Sequence, residues 1–502
     1  MQYILVLDQG TTSTRAIIYD DKGNIISKVQ ETFKQIYPTP GYVEHDPADI
    51  IGTARSTISQ AINKARIKYS QIKAMGITNQ RESIVCWNKE TGEPIYNVIV
   101  WQCSRTNDYC ENLKNQGYEE LIKEKTGLKI DSYFSATKIK WILDNVPDAK
   151  KLGAENKLCV GTIDTFLMFN LSGGQIYAAD YTNASRTMLF NIHTLKWDDD
   201  LCKLFNINKN ILPEVHPSGY FYGKTSLDIL GLEIPICAVA GDQQSALFGQ
   251  LCTSEKQLKV TYGTGCFLLV NTGSEIVKSK NGLLSTMACS LDEKPNYALE
   301  GSVFIGGALV QWLRDELNFF PDVNLSEDFA NKVEDTNGVY IIPAFVGMGA
   351  PYWNSNSKGL ITGLTRGANK YHITRACLEA IDFQVYDVID AMKKDFDDQI
   401  NEIKVDGGAC VNNFLMQFQA DILNIPISRP LNYEVTSLGV YYLAGLKINI
   451  FSSIDEIKKM VSNTTVFKPN ISEQKRKELI DGWHKSVNLA LTYEWVSLYV
   501  QY

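Results

Sequence analysis

The sequence predicts an α/β fold built from two related halves, and three observations predict it. The first eighty residues read as strand, strand, strand, helix, strand. A second hairpin with a Gly-Thr-Gly centre recurs about half a chain later. The remaining chain alternates strands with helices around glycine-containing turns. At 502 residues the chain exceeds what one hydrophobic core usually serves, so two domains are expected. Their boundary is set near residue 250, giving segments 1–250 and 251–502.

The opening run YILVLDQGTTSTRAIIYD is two apolar strands joined through a polar bend containing Gly10, Thr11, Thr12 and Ser13. A plain hairpin turn would be an Asn-Gly or Asp-Gly pair, or a loop of about five residues at most. The turn DDKG and a third strand, NIISKVQ, follow, then helical periodicity in DIIGTARSTISQAINKAR and a strand in IKAMGIT. From Leu258, LKVTYGTGCFLLVNTG repeats the pattern of strand, glycine bend and strand. GLITGLTRG with HITRACLEAIDFQVYDVIDAM gives strand then helix, and EIKVDGGACVNNFLMQFQADIL gives strand, glycines, helix. Backbone amides and hydroxyls in such bends can wrap an anion. Two of them, facing each other over a cleft, would hold the phosphates of one nucleotide between them.

Composition narrows the partners. With 44% hydrophobic and 21% charged residues the chain is globular, and a net charge of −8 without a basic run disfavours nucleic acid. The eleven cysteines lack zinc-site spacing and read as reduced core thiols. The N-terminal apolar run has no basic flank and is interrupted by Asp8, so it does not read as a signal peptide. No uninterrupted apolar stretch is long enough for a membrane span, and a cytoplasmic protein is expected. The stretch SGYFYGKTS around Lys224 imitates a phosphate-binding Walker loop, but only three residues separate Gly219 from Gly223 where four are required. It is read as a surface turn.

Four stretches carry candidate chemistry. Asp8, at the end of a buried strand, is either a turn aspartate or an oxygen ligand for Mg²⁺ beside phosphates gathered by Thr11, Thr12 and Ser13, with Arg15 adding charge. Asp242 opens a helix after the strand IPICAVAG, where open α/β sheets place ligands, although aspartate there is also an ordinary helix cap. The helix dipole would lower its pKa and make it a weak base. The glycines of VDGGACVNN allow close approach of a flat ligand, or are simply a helix entry capped by asparagine. Arg81 and Glu82, neighbours after a strand, would reach one ligand only if the backbone bends between them. If it does, a donor fork and an acceptor sit together, as vicinal hydroxyls require.

Taken together these stretches resemble the FGGY carbohydrate kinases. The likeness runs through LDQGTTSTR, GYVEHDP, GITNQRES, VWQC, YFSATKIKWILDN, DYTNASRTMLFNI, AGDQQSALFGQLC, TYGTGCFLLVNTG, YALEGSVFIGGALVQWLRD, GLITGLTRG and VDGGACVNNFLMQFQADIL. It implies two ribonuclease H-like (actin-like ATPase) domains with a central cleft that holds ATP and a polyol. GITNQRES, and AGDQQ with YGTGCF, point within the family to glycerol as the acceptor. The resemblance implies that Arg81, Glu82, Tyr133 and Asp242 bind the glycerol hydroxyls, with Gln243 adjacent and Asp242 as catalytic base. Trp101 and Phe267 would flank the carbon chain. Thr11, Thr12, Ser13, Arg15 and Thr264 would meet the ATP phosphates, Gly307, Gln311, Gly408 and Asn412 would line the rest of the nucleotide, and Asp8 would serve Mg²⁺. A homodimer or tetramer is likewise implied by the family alone.

The sequence also departs from the bacterial pattern: TSLDILGLE, after Lys224, lacks the Gly- and Arg-containing loop that binds fructose 1,6-bisphosphate in regulated members. Two rival readings remain at this point. One is a kinase of the same family for a pentulose, which would need smaller residues than Trp101 and Phe267. The other is a nucleotide switch of the actin or chaperone kind, which would not need Arg81, Glu82 and Asp242 together.

Overall fold

Two large sheets organise the molecule. The computed structural model describes residues 1–354, 356–396, 400, 402–461 and 464–492. In the first sheet the strands lie in the order Gly223–Lys224, Pro235–Gly241, Ile72–Asn79, Tyr3–Gln9, Ser13–Asp20, Ile25–Thr32. The second runs Leu284–Met287, Tyr297–Val303, Cys266–Gly273, Leu258–Tyr262, Ile403–Asp406, Ile427–Pro430, Thr464–Phe467. Each contains three adjacent antiparallel strands and, beside the first of them, two strands parallel to it. With the edge strands Gly223–Lys224, Leu284–Met287 and Thr464–Phe467 set aside and the others numbered within each half, both sheets have the order 3-2-1-4-5, the ribonuclease H-like arrangement. The repeated hairpin in the sequence is the visible part of this duplication.

The strands form where the apolar runs lie because both faces are covered. Tyr3–Gln9 is buried along its whole length. Leu5 and Leu7 pack with Ile50, Ala54 and Ile58 of the helix Pro47–Ala65, while Ile4 and Val6 pack with Val440, Tyr441 and Leu443 of the helix Val435–Lys447. Alternate side chains thus serve two different cores, so the strand reads as continuously apolar. The Pro47–Ala65 helix starts where Asp46 accepts a hydrogen bond from the Ala48 amide at 2.8 Å, with proline in its first turn, and ends at left-handed Arg66.

One expectation changes. Gly223–Lys224 is a two-residue edge strand paired antiparallel with Pro235 and Ile236, not a free surface turn. An edge strand needs a partner on one side only, so the nearby prolines do not oppose it. The GLITGLTRG segment joins neither large sheet, because Leu360–Thr362 forms a two-stranded ribbon with Tyr340–Ile342. The eleven cysteines are all buried and free. Among the described residues no helix is long and apolar enough to cross a membrane.

The helix Val435–Lys447 comes late in the chain yet packs on the first sheet, and it also crosses the helix Asp242–Gly249. The crossing is tight because glycines meet backbone: a Cβ at Gly439 would lie 1.9 Å from the Ser245 carbonyl oxygen, and one at Gly249 2.0 Å from that of Val435. The Ser245 hydroxyl donates to the Thr436 carbonyl at 2.6 Å. This contact seats the helix that begins with Asp242. Gly439→Ala is therefore expected to force the two helices apart at a cost of about 1–3 kcal/mol, read as a Tm lowered by at least about 2 °C; an unchanged Tm would show that the crossing is looser than this packing requires.

Candidate active site

Arg81 and Glu82 follow directly on the strand Ile72–Asn79, and the backbone does bend there. Glu82 has φ +59°, and the Ser83 amide donates to the Arg81 carbonyl at 2.7 Å, closing a tight turn around Glu82. A non-glycine residue in this left-handed region is strained, and such strain gathers at functional sites. The turn carries both buried side chains into one place. Arg81 is gripped by Glu300: Nη1 donates to Oε2 at 2.6 Å and Nη2 to Oε1 at 3.0 Å. Its Nη1 also donates to Gln244 Oε1 at 3.2 Å, and its Nη2 to the Tyr133 hydroxyl at 3.4 Å. With both Nη atoms held, Nε is left 3.4 Å from Asp242 Oδ1 and 3.8 Å from Glu82 Oε1.

A second buried arginine completes the cluster. Arg186 Nε donates to Glu82 Oε1 at 2.6 Å, and its Nη2 to Glu300 Oε1 at 2.9 Å. Glu300 thus faces two guanidinium groups; they pull its carboxyl down to about 2 against the effect of burial. Buried charges in this arrangement stay ionised because each is paired and hydrogen-bonded.

Asp242 is the first residue of its helix, after Gly241. The Gly241 amide donates to Thr182 Oγ1 at 2.8 Å, and the Thr182 hydroxyl is held by buried Asp180, which fixes the helix start. The Asp242 side chain keeps 31% of its surface open, yet the carboxyl is packed closely enough that burial pushes its pKa up to about 6, with Arg81 opposing and Glu82 reinforcing the rise. This corrects the expectation of a lowered pKa: the helix dipole is outweighed by desolvation and a neighbouring carboxylate, neither of which is local in sequence.

The two hairpins meet through aromatic residues. The Trp101 indole Nε1 donates to Thr11 Oγ1 at 3.0 Å, in the first bend, and its ring lies edge-on to Tyr133 at 5.6 Å and to Phe267 of the second hairpin at 6.4 Å. Thr12 and Thr264 are exposed at the two bends. Ser13 accepts from Gln30 Nε2 at 3.1 Å. Asp8 is buried with its pKa raised by burial; its Oδ2 lies 2.7 Å from Arg15 Nη2 without hydrogen-bond geometry. No group of three or more potential metal ligands occurs among the described residues. The Asp8 carboxylate is engaged by a single ion pair, with Arg15, and such a carboxylate fits a Mg²⁺ held mainly by phosphates and water.

Beyond the second hairpin lies a cavity of about 530 Å³ lined by Gly263, Thr264, Gly307, Gln311, Gly408 and Asn412, with Leu378, Ile381 and Leu415 as apolar wall. A Cβ at Gly408 would meet nothing within 4 Å, so this glycine opens onto free space, whereas one at Gly307 would come 2.8 Å from the Gly263 carbonyl oxygen. Asn412 lines the cavity, and its Oδ1 caps the helix Asn413–Leu423 by accepting from the Leu415 amide at 3.0 Å.

The geometry brings Arg81, Glu82, Tyr133 and Asp242 into one cluster. Trp101 and Phe267 form its neighbouring wall, and the glycine cavity lies next to Thr264. Gln243 is adjacent, with its Oε1 taken by buried Lys259. Glu300, Arg186, Gln244 and Lys259 were missed as site residues. Glu300 in YALEGSV and Lys259 in LKVTY are lone charges within apolar strands, and that anomaly was the available signal.

Comparison with known proteins identifies the family. The model of the FGGY family of carbohydrate kinases, N-terminal domain, matches residues 3–249, and that of the C-terminal domain matches residues 258–448. The chain is 55% identical over 493 residues to a glycerol kinase of Clostridium botulinum, covering 98% of this chain and 99% of that one. It is 54% identical over 492 residues to the glycerol kinase of Caldanaerobacter subterraneus, with the same coverage. Among solved structures, Plasmodium falciparum glycerol kinase with ADP superposes with a TM-score of 0.92 at 38% identity, covering 98% of this chain and 99% of that one.

The charge cluster generates its own test. Glu300→Gln leaves Arg81 and Arg186 buried with one carboxylate fewer, and breaking such a network costs about 3–5 kcal/mol. A clear drop in Tm at neutral pH is expected. Since the folded pKa is depressed, the contribution of Glu300 is complete above its ordinary value of 4.5 and fades as pH falls toward about 2. The Tm difference between wild type and Glu300→Gln should therefore be constant from pH 5 to 8; equal Tm values there would refute the pairing.

Proposed function

The chain belongs to the FGGY family of carbohydrate kinases, and from that premise we propose that it transfers the γ-phosphoryl group of ATP to glycerol, giving sn-glycerol 3-phosphate. The observation that carries the reading is the cluster formed by the Glu82 turn, in which a guanidinium, two carboxylates and the Tyr133 hydroxyl converge beside Trp101. Vicinal hydroxyls need donors and acceptors side by side, and a short carbon chain needs an apolar wall. Trp101 and Phe267 supply that wall. Structures of gluconate and xylulose kinases from Lactobacillus acidophilus share the fold at 24% identity, so the choice among polyols rests on this pocket rather than on the fold.

In this reading Arg81, Glu82 and Tyr133 orient glycerol, with Gln243 beside them. Asp242 accepts the proton of the attacking hydroxyl as its oxygen forms the new bond to phosphorus and the bond from the γ-phosphorus to the β-γ bridging oxygen breaks in line. A carboxyl near 6 is ionised at neutral pH and more basic than an ordinary aspartate, which suits a base needed late in a loose transition state. Thr11, Thr12, Ser13, Arg15 and Thr264 contact the phosphates from the two bends. Gly307, Gln311, Gly408 and Asn412 hold the rest of the nucleotide. Asp8 would hold Mg²⁺, which when bound would neutralise phosphate charge. Segment 1–250 thereby serves the polyol and phosphates and segment 251–502 the nucleotide. A cytoplasmic homo-oligomer belongs to the same proposal.

Purified protein is expected to release ADP with glycerol and far more slowly with xylulose or with no acceptor; equal rates in all three would overturn the reading. Asp242→Asn should keep Tm and ATP binding while lowering kcat by roughly 10²–10⁴, and wild-type kcat/KM should decline as pH falls through about 6. Near-normal kcat in that variant would remove Asp242 as the base. Arg81→Ala should raise the KM for glycerol far more than that for ATP, an outcome contradicted by equal changes in both.

A further inference from the structure

Lys259 lies on the strand Leu258–Tyr262, four residues before the second Gly-Thr bend begins at Gly263, and is completely buried. An ammonium group has three donors and no acceptor, and all three directions are used: to Gln243 Oε1 at 2.5 Å, to Thr261 Oγ1 at 2.8 Å and, at the limit of 3.5 Å, to the Phe267 carbonyl. The Thr261 hydroxyl in turn donates to Asp406 Oδ1 at 2.6 Å. Asp406 is the last residue of the strand that leads into Gly407 and Gly408. One buried cation therefore joins the residue next to Asp242, the wall residue Phe267 and the entry to the glycine cavity.

The chemistry of the contact decides the orientation of Gln243. A lysine can only donate, so the carboxamide must turn its oxygen toward Nζ. Its Nε2 is left with two N–H donors that make no hydrogen bond to the described residues and are not closed off from solvent. Beside an Asp242 that accepts, this arrangement gives the acceptor hydroxyl a donor for its lone pairs and an acceptor for its proton. Without Lys259 nothing in the contact would prefer this orientation over the flipped one.

Resting on the proposed glycerol phosphorylation, we propose that Lys259 is a positioning residue for that reaction, which locks the Gln243 carboxamide with its NH₂ toward the acceptor hydroxyl and ties it through Thr261 to Asp406. The charged groups facing Lys259 are Asp406 from the neighbouring strand, Asp242 from its helix, Arg81 from the Glu82 turn and Glu300 from its strand. Burial lowers the Lys259 pKa to about 8, against the pull of the carboxylates, so the ammonium is lost as pH rises through that value.

The test compares wild type with Lys259→Met, Lys259→Arg and Gln243→Glu in steady-state assays with glycerol and ATP from pH 5.5 to 9.5. Lys259→Met should raise glycerol KM and lower kcat, together by about tenfold or more in kcat/KM, while ATP KM stays within about twofold. Wild type should lose activity above about pH 8, and Lys259→Arg, which cannot deprotonate in this range, should keep its activity there. Gln243→Glu guards against a Lys259→Met chain that fails to fold. It retains an acceptor for Lys259, so Tm should hold, but it replaces the NH₂ donors with an acceptor, so glycerol KM should rise. Wild-type glycerol KM in Gln243→Glu, or equal effects of Lys259→Met on both substrates, would overturn the role of Lys259 while leaving the glycerol reading intact. A wild-type enzyme inactive on glycerol would overturn both.

Discussion

Everything at the cleft depends on one buried carboxylate. Glu300 comes from the second sheet, and the two guanidinium groups it holds, Arg81 and Arg186, belong to the first half of the chain. Taking three charges out of water is costly, and the arrangement is tolerable only because nearly every oxygen and nitrogen finds a partner. Its structural effect is directional. With both terminal nitrogens of Arg81 committed to Glu300, only Nε remains to face Asp242 and Glu82. Arg186 meanwhile fixes Glu82 from the other side. A strained turn at Glu82 is thereby held in the one conformation that presents acid and base groups to the same small volume.

The duplicated sheets explain why this point is where it is. In both halves the first hairpin strand is also the partner of a parallel strand, so each bend emerges at the end of a sheet, where backbone amides are unpaired. The copies have diverged chemically. Asp8 faces Arg15 across the first hairpin, whereas the equivalent position in the second is Thr261, opposite Phe267 and alongside Asp406. The first hairpin thus carries a charged pair, and the second carries an aromatic ring and a hydroxyl linked to the strand that leads into the glycine turn. Helix Val435–Lys447, packed on the first sheet and crossed by the helix of Asp242, ties the halves a second time.

Much of this was legible in the sequence. The strands, the two bends and the helices at Pro47–Ala65, Asp242–Gly249 and Asn413–Leu423 follow from local periodicity and turn residues, which act over a few positions. What depends on distant chain was not. Arg81 and Glu82 could be paired as candidates, but whether they shared a ligand turned on a single φ angle. The basicity of Asp242 was misjudged because its own helix argues for a lower pKa, while burial and Glu82 act through tertiary packing. Arg81 and Glu300 are 219 residues apart, a separation across which spacing carries no signal. Lys259 and Glu300 were visible only as charges out of place in apolar strands; their partners had to be seen folded.

The most direct measurement is a crystal structure of the protein with glycerol and a non-hydrolysable ATP analogue. Glycerol is expected within hydrogen-bonding distance of Arg81, Glu82, Tyr133 and Asp242, with the γ-phosphate between the bends at Thr11 and Thr264 and Glu300 still bridging Arg81 and Arg186. Glycerol bound away from these residues, or a cleft in which Glu300 has released both arginines, would contradict the account.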